Sequence, residues 1–122
     1  MRRRLGEVGE GIAVAHLQAK GYDVVARNVR LPEGEIDIVA RQGEATVIVE
    51  VRARRGSAMG DGLDSIDGRK AARLRSLAIS YAAALPNPPD ALRIDVIAVD
   101  LAPGGRLLGV RHIENAVEDA PG

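Results

Sequence analysis

Cysteine, phenylalanine and tryptophan are absent from this chain, and tyrosine occurs only at positions 22 and 81. Without cysteine there is no disulfide, no zinc–thiolate centre and no thiol nucleophile, a composition that suits a reducing cytoplasm. With two aromatic residues in 122, stacking of unpaired bases on aromatic platforms is a poor mode of recognition for this protein. No run approaches the ~18 apolar residues of a membrane span. Met1-Arg-Arg-Arg4 is not followed by the apolar segment of a secretory signal. Lysine is scarce too: of seventeen cationic residues two are lysine, Lys20 and Lys70, and the other fifteen are arginine.

What remains is balanced in number and uneven in place. Net charge is zero and 46% of the residues are apolar, enough for one domain with a real core. Cations gather at Arg2–Arg4, at Arg52, Arg54 and Arg55, and from Arg69 to Arg75, while Glu114, Glu118 and Asp119 make the end acidic. A locally basic surface on a neutral chain suits arginine contacts to a phosphate backbone.

Two acids stand where acids are costly. Thr46-Val-Ile-Val-Glu50-Val51 is a β-branched run that reads as a strand buried on both faces, with Glu50 inside it. Asp37 is likewise flanked by isoleucines in Glu35-Ile-Asp-Ile-Val-Ala40. Buried carboxylates need a partner of opposite charge, and a divalent cation serves two at once. The turn-like Arg41-Gln-Gly-Glu44 predicts an antiparallel hairpin. A Gly43-Glu44 loop, glycine first as a type II′ turn favours, sets Asp37 directly opposite Glu50 with Cβ atoms roughly 5 Å apart. A Gln42-Gly43 loop leaves them diagonal on one face, and a three-residue loop separates them.

The periodicity predicts a helix over 6–20, strands over 22–30, 35–41 and 45–53, a loop over 54–65, a helix over 66–85 capped by Asp64 or Ser65, a strand over 91–100 and an edge strand over 106–113. The first helix has one apolar stripe of Val8, Ile12, Ala15 and Ala19 and a second of Ala13, Val14 and Leu17 that also holds Glu10. The second sets Leu74, Ala78, Tyr81 and Leu85 against Arg69, Arg73, Ser76 and Ser80. The order α-β-β-β-α-β-β is an α/β domain with a central mixed sheet, in two or three layers, over 1–122 with frayed ends at 1–5 and 115–122. The glycines at 6, 9 and 11 do not form a phosphate loop, because the G-x-G-x-x-G order and a preceding strand are missing. His16 and His112 read as ordinary surface or sheet histidines, and Asp95 as structural.

These pieces together resemble a family. Gly6-Glu-Val-Gly-Glu10, Arg27-Asn28, Gly34-Glu-Ile-Asp37-Ile-Val-Ala40 and Val49-Glu-Val-Arg-Ala-Arg54, with Gly60, Lys70 and Arg93-Ile-Asp-Val96 beyond, are similar to the YraN-like proteins of PD-(D/E)XK, or restriction-endonuclease-like, fold. These in turn resemble Holliday-junction resolvases. The resemblance spans about 6–116 and implies metal-assisted phosphodiester hydrolysis. Magnesium, or manganese, would be held by Asp37, Glu50 and the Val51 carbonyl, with Glu10 direct or through water. Arg52 completes the catalytic set, and Arg54, Arg55, Lys70, Arg69 and Arg73 would contact nucleic acid, DNA rather than RNA. A homodimer would suit a two-fold junction, and no membrane is implied.

One departure matters. The family's lysine is Arg52 here. Arginine stays protonated and cannot be a base, so water activated by the cation must attack, or the chain binds without cutting. Three classes therefore stay open: a metal-dependent endonuclease, a nucleic-acid-binding module with a decayed site, and a structural protein with a buried charge network.

Overall fold

The computed structural model describes residues 2–56 and 68–117, with side chains from Leu5 onward. Helix α1 spans Arg2–Ala19 and is followed by strands β1 (Asp23–Leu31), β2 (Gly34–Gln42) and β3 (Ala45–Arg55). Helix α2 (Gly68–Ala83) then leads to β4 (Ala91–Leu101) and β5 (Leu107–Ile113). The strands form one sheet in chain order, β1-β2-β3-β4-β5. All neighbours are antiparallel except β3 and β4, which run parallel. A parallel pair needs a crossover, and α2 lies on it. This element order around a mixed sheet is the restriction-endonuclease-like core that the sequence predicts. Among the described residues no helix is long and apolar enough to cross a membrane.

Each sheet face has its own helix, so the two-or-three-layer question resolves to three. Ala13 and Leu17 of α1 pack with Tyr22, Ile38, Ala40, Val47, Val49, Ile97, Val99 and Leu101. Leu74, Leu77 and Ala78 of α2 pack with Ile36, Val39, Ile48 and Ile94 on the other face. The central strand β3 is covered on both sides, which is why its run carries no polar alternation.

The differences from the sequence reading sit at element ends and on one helix face. Helix α1 starts at Arg2 rather than 6, because Leu5 still packs against the core. The residues expected to fray at 2–5 are therefore helical. Its buried side is Gly9, Ala13 and Leu17, whereas Val8 is 40% exposed and Ala15 and Ala19 face solvent. So the first expected stripe is the wrong one, and Glu10 flanks the true one. Gly9 explains the choice: a Cβ there would come within 2.7 Å of the Ala53 Cβ. Strand β3 runs on to Arg55, two residues into the expected loop. On α2 the buried set includes Leu77, while Leu85 falls beyond the helix end. The proposed caps Asp64 and Ser65, and Gly60, lie outside the described residues.

Candidate metal and phosphate site

The β2–β3 hairpin turns on Gly43-Glu44. Gln42 opposes Ala45, Ile38 opposes Val49, and Gly43 has a φ of 59° as the first central residue. Asp37 and Glu50 are thus the next opposed pair, and they are the first beyond the β2–β3 ladder, which ends at Ile38 and Val49. From there β2 stays paired with β1 through Gly34, while β3 stays paired with β4 through Arg55. The sheet forks, and both carboxylates stand at the crotch.

Local backbone geometry sharpens the fork. Ile38 faces the α1 layer, yet Ile36, two residues away, faces the α2 layer with Val39. Side-chain alternation therefore slips at Asp37. Across from it on β1 lies Asn28, with a φ of 53°, a left-handed conformation that asparagine tolerates better than most residues. The main-chain N–H of Val51, no longer paired across the fork, donates to Asp37 Oδ2 at 2.8 Å.

The carboxylate of Asp37 is poorly matched to this setting. Burial pushes its pKa up to about 6. The Val51 N–H works against that rise, and the charges of Glu50, Glu10 and Glu35 add to it. Glu50 has a counter-ion on the α2 side, with Lys70 Nζ 3.9 Å from its Oε2 and its side chain 13% exposed. Glu10, on the α1 side, is bound to β1: its Oε1 accepts from Arg27 Nη2 at 3.3 Å and from Asn28 Nδ2 at 3.1 Å. Among the described residues no three acid or histidine side chains close on one point. The fork thus brings Asp37 and Glu50 together with the Val51 main chain, while Glu10 stands beside them in the grip of β1.

The basic residues divide by face. Val49, Val51 and Ala53 face α1, so Arg52 and Arg54 alternate onto the Glu50 side with Lys70. Arg55 ends the strand in solvent, and Arg69 and Arg73 are exposed one turn apart on α2. On the α1 side, a cleft of about 430 Å³ opens beside Glu10, lined also by Gly6, Glu7, Arg27, Asn28, Arg30 and Glu35. The sequence reading gave Arg27 and Asn28 no role. Their signal was the Arg-Asn pair itself, at a spacing that only the β1–β2 register brings to Asp37.

Asp95, read as structural, anchors a second polar cluster whose partners the sequence did not reveal. Asp95, with no exposed surface, accepts from Arg93 Nε and Nη2 at 2.9 and 3.0 Å, from the Asn115 N–H at 3.0 Å, and pairs with His112 Nε2 at 2.8 Å. Arg93 also donates to the Tyr22 hydroxyl at 2.7 Å and to Gln42 Oε1 at 2.8 Å. Lys20 Nζ sits 3.0 Å from His112 Nδ1, and His16 meets the His112 ring edge-on. His112 is thus a sheet histidine, on β5, tied into a network, and His16 is half-buried beside it on α1. Burial pulls the His16 pKa down, helped by His112 and Lys20.

Magnesium takes one or two carboxylates and fills its octahedron with water and phosphate oxygens. Asp37, Glu50 and the Val51 carbonyl match that donor set in chemical type. Residues 9–99 match the profile of the uncharacterised protein family UPF0102. The chain is 50% identical to a UPF0102 protein of Parafrankia sp. (strain EAN1pec) over 80% of its own length and 82% of the relative's. It is 46% identical to one of Moorella thermoacetica over 94% and 96% of the two lengths. For one of Roseiflexus castenholzii the identity is 44%, over 98% and 97%. With a fork of paired acids at its centre and these relatives matching it nearly end to end, the chain belongs to the UPF0102 family.

Proposed function

We propose that this protein is a magnesium- or manganese-dependent phosphodiesterase acting on DNA, with branched or nicked duplexes as its preferred substrates. The observation that carries this reading is the opposed pair Asp37 and Glu50 at the fork, with the basic side chains of Lys70, Arg52 and Arg54 on the same side. Asp37, Glu50 and the Val51 carbonyl are the residues that would hold the ion, which supplies Lewis acidity toward a phosphate oxygen and an acidified water.

The chain's own residues do the rest. Lys70, 3.9 Å from Glu50, sets a positive charge beside the pair. Arginine at position 52 offers donors and no base, so it stabilises the negative charge that builds up at phosphorus and moves no proton. Arg54, Arg55, Arg69 and Arg73 follow the backbone, giving binding that depends on salt and little on sequence. The runner-up, a DNA-binding module without cutting, draws on the arginine at position 52.

The test sets the native protein beside Glu50→Gln on nicked and branched duplexes. Cutting by the native chain that requires the cation and is lost in Glu50→Gln is the expected result. Arg52→Lys should retain activity, and Arg52→Ala should lose on the order of 10²-fold, the scale of one electrostatic donor. A native chain that shifts such DNA in a gel but never cuts it favours the binding module. Cutting that is equal in Glu50→Gln overturns the site.

A further inference from the structure

Glu10 poses a question that the fork alone does not answer. It lies beside Asp37 and Glu50, yet its carboxylate is spoken for: one oxygen takes both Arg27 Nη2 and Asn28 Nδ2. Asn28 is fixed by its left-handed backbone directly across β1 from Asp37. Arg27 is not fixed in this way. Its side chain is 45% exposed, while that of Glu10 is 13% exposed. The guanidinium stands at the wall of the 430 Å³ cleft, whose other arginine, Arg30, is 3.9 Å from Glu35, with Glu7 as a further acid of the lining. That volume suits one nucleotide unit.

We infer that Arg27 and Asn28 form a substrate-released clamp on Glu10: without substrate they hold its carboxylate off the Asp37–Glu50 pair, and a backbone phosphate entering the cleft takes Arg27 and frees Glu10 for the cation. The inference rests on the reading of Asp37 and Glu50 as a cation pair. It follows from charge. Three acids close together repel one another, and each needs an opposite charge or a place in solvent. Lys70 serves Glu50 and Arg27 serves Glu10. The arginine side of this pair is 45% exposed, so the guanidinium can change partners while the carboxylate stays in place. A phosphodiester offers Arg27 the same bidentate geometry as a carboxylate, with extra affinity from released counterions. Once Arg27 turns to the phosphate, Glu10 has lost its counter-charge, and the cation becomes its best partner. DNA and cation then bind cooperatively, each tightening the other by the same factor. The ion is thus held most tightly when DNA is present.

The experiment is a double-mutant cycle on the full chain. Calcium, another oxygen-seeking cation, is titrated by calorimetry with and without a saturating nicked DNA duplex. The variants are wild type, Arg27→Ala, Glu10→Gln and the double variant, with Arg30→Ala as a control of equal charge in the same cleft. In wild type, DNA should tighten calcium about tenfold, within the usual range of couplings. Arg27→Ala should bind calcium more tightly without DNA and show less than a twofold DNA effect. Glu10→Gln should show the same small effect, and the double variant should add nothing further. Arg30→Ala should keep the tenfold coupling. Asn28→Gly, which keeps the left-handed backbone but loses the amide, should fall between wild type and Arg27→Ala, and it stands in if Arg27→Ala fails to fold. Additive effects of Arg27→Ala and Glu10→Gln, or equal losses in Arg27→Ala and Arg30→Ala, overturn the clamp while leaving the cation pair intact. Absence of calcium binding in wild type, with and without DNA, overturns the cation pair and the clamp with it.

Discussion

Two acids in this fold carry the same side chain to opposite ends. Asp95 is fully buried and saturated: Arg93 twice, His112 and the Asn115 N–H all meet its two oxygens. Asp37 is half-buried, takes one main-chain N–H, and feels three other carboxylates. The first arrangement is complete in itself and ties β4 to the chain after β5. The second is energetically unfinished. A buried acid with so few partners and a raised pKa is a candidate functional site.

The largest effect expected follows from that contrast. Asp95→Asn removes the counter-charge from Arg93 and turns an amide toward several donors. It should cost about 3–5 kcal/mol, as breaking one side of a buried pair does. Asp37→Asn should do the reverse. Its carboxyl titrates near 6 in the fold against 3.8 in the unfolded chain, so the folded state favours the protonated form. Above pH 6 that mismatch destabilises the fold by up to about 3 kcal/mol, and an amide, which still accepts from Val51, relieves it. Thermal melts at pH 7.5 without divalent cation should show the melting point falling in Asp95→Asn and rising in Asp37→Asn. A drop of similar size in both would erase the distinction.

The pH dependence sharpens the same point. With a folded pKa raised to about 6, the Asp37 contribution is neutral below about pH 4. It grows unfavourable as pH rises through 4 to 6 and is fully present above. A cation at the fork needs the ionised form. The rise in melting point caused by magnesium should therefore be small at pH 5 and full at pH 7.5, because ligands stabilise by binding the native state. In Asp37→Asn the rise should vanish at both pH values. A magnesium effect of equal size at pH 5 and 7.5 would remove Asp37 from the site.

How much of this was legible in the sequence depended on distance along the chain. The hairpin was, because Gly43-Glu44 fixes the register within a few residues and so sets Asp37 against Glu50. The order of elements was too. The Asp95 network was not: Tyr22 meets Glu114 across 92 residues and Arg93 across 71, and no local pattern distinguishes a histidine that will find Asp95 from one that will face water. The Glu10 clamp fell between these cases. Its Arg27-Asn28 pair could be seen, but its purpose depends on a strand fork and a left-handed residue. The wrong helix stripe has a similar cause. Periodicity counts apolar side chains, and the true contact runs through Gly9, which has none.

That glycine gives the smallest and cleanest test, because it perturbs the fork from the helix side while both acid clusters keep their residues. Gly9 and Gly11 lie within one turn of α1 on opposite faces, and in isolation each should cost about 1 kcal/mol relative to alanine. Gly11 is exposed with nothing near its missing Cβ, so Gly11→Ala should raise stability by about 1 kcal/mol. At Gly9 the added methyl would collide with the Ala53 Cβ at 2.7 Å, on the stretch of β3 just beyond Glu50. Overpacking of this kind costs about 1–3 kcal/mol, which outweighs the gain in helix propensity. Gly9→Ala should therefore lower stability by about 1 kcal/mol net. It should leave the magnesium response without DNA unchanged, because Glu10 is then held off the Asp37–Glu50 pair by Arg27 and Asn28. Denaturant melts of the two variants, with and without magnesium, read both effects at once. If Gly9→Ala stabilised the protein as Gly11→Ala does, close contact of α1 with β3 would not be what positions Glu10.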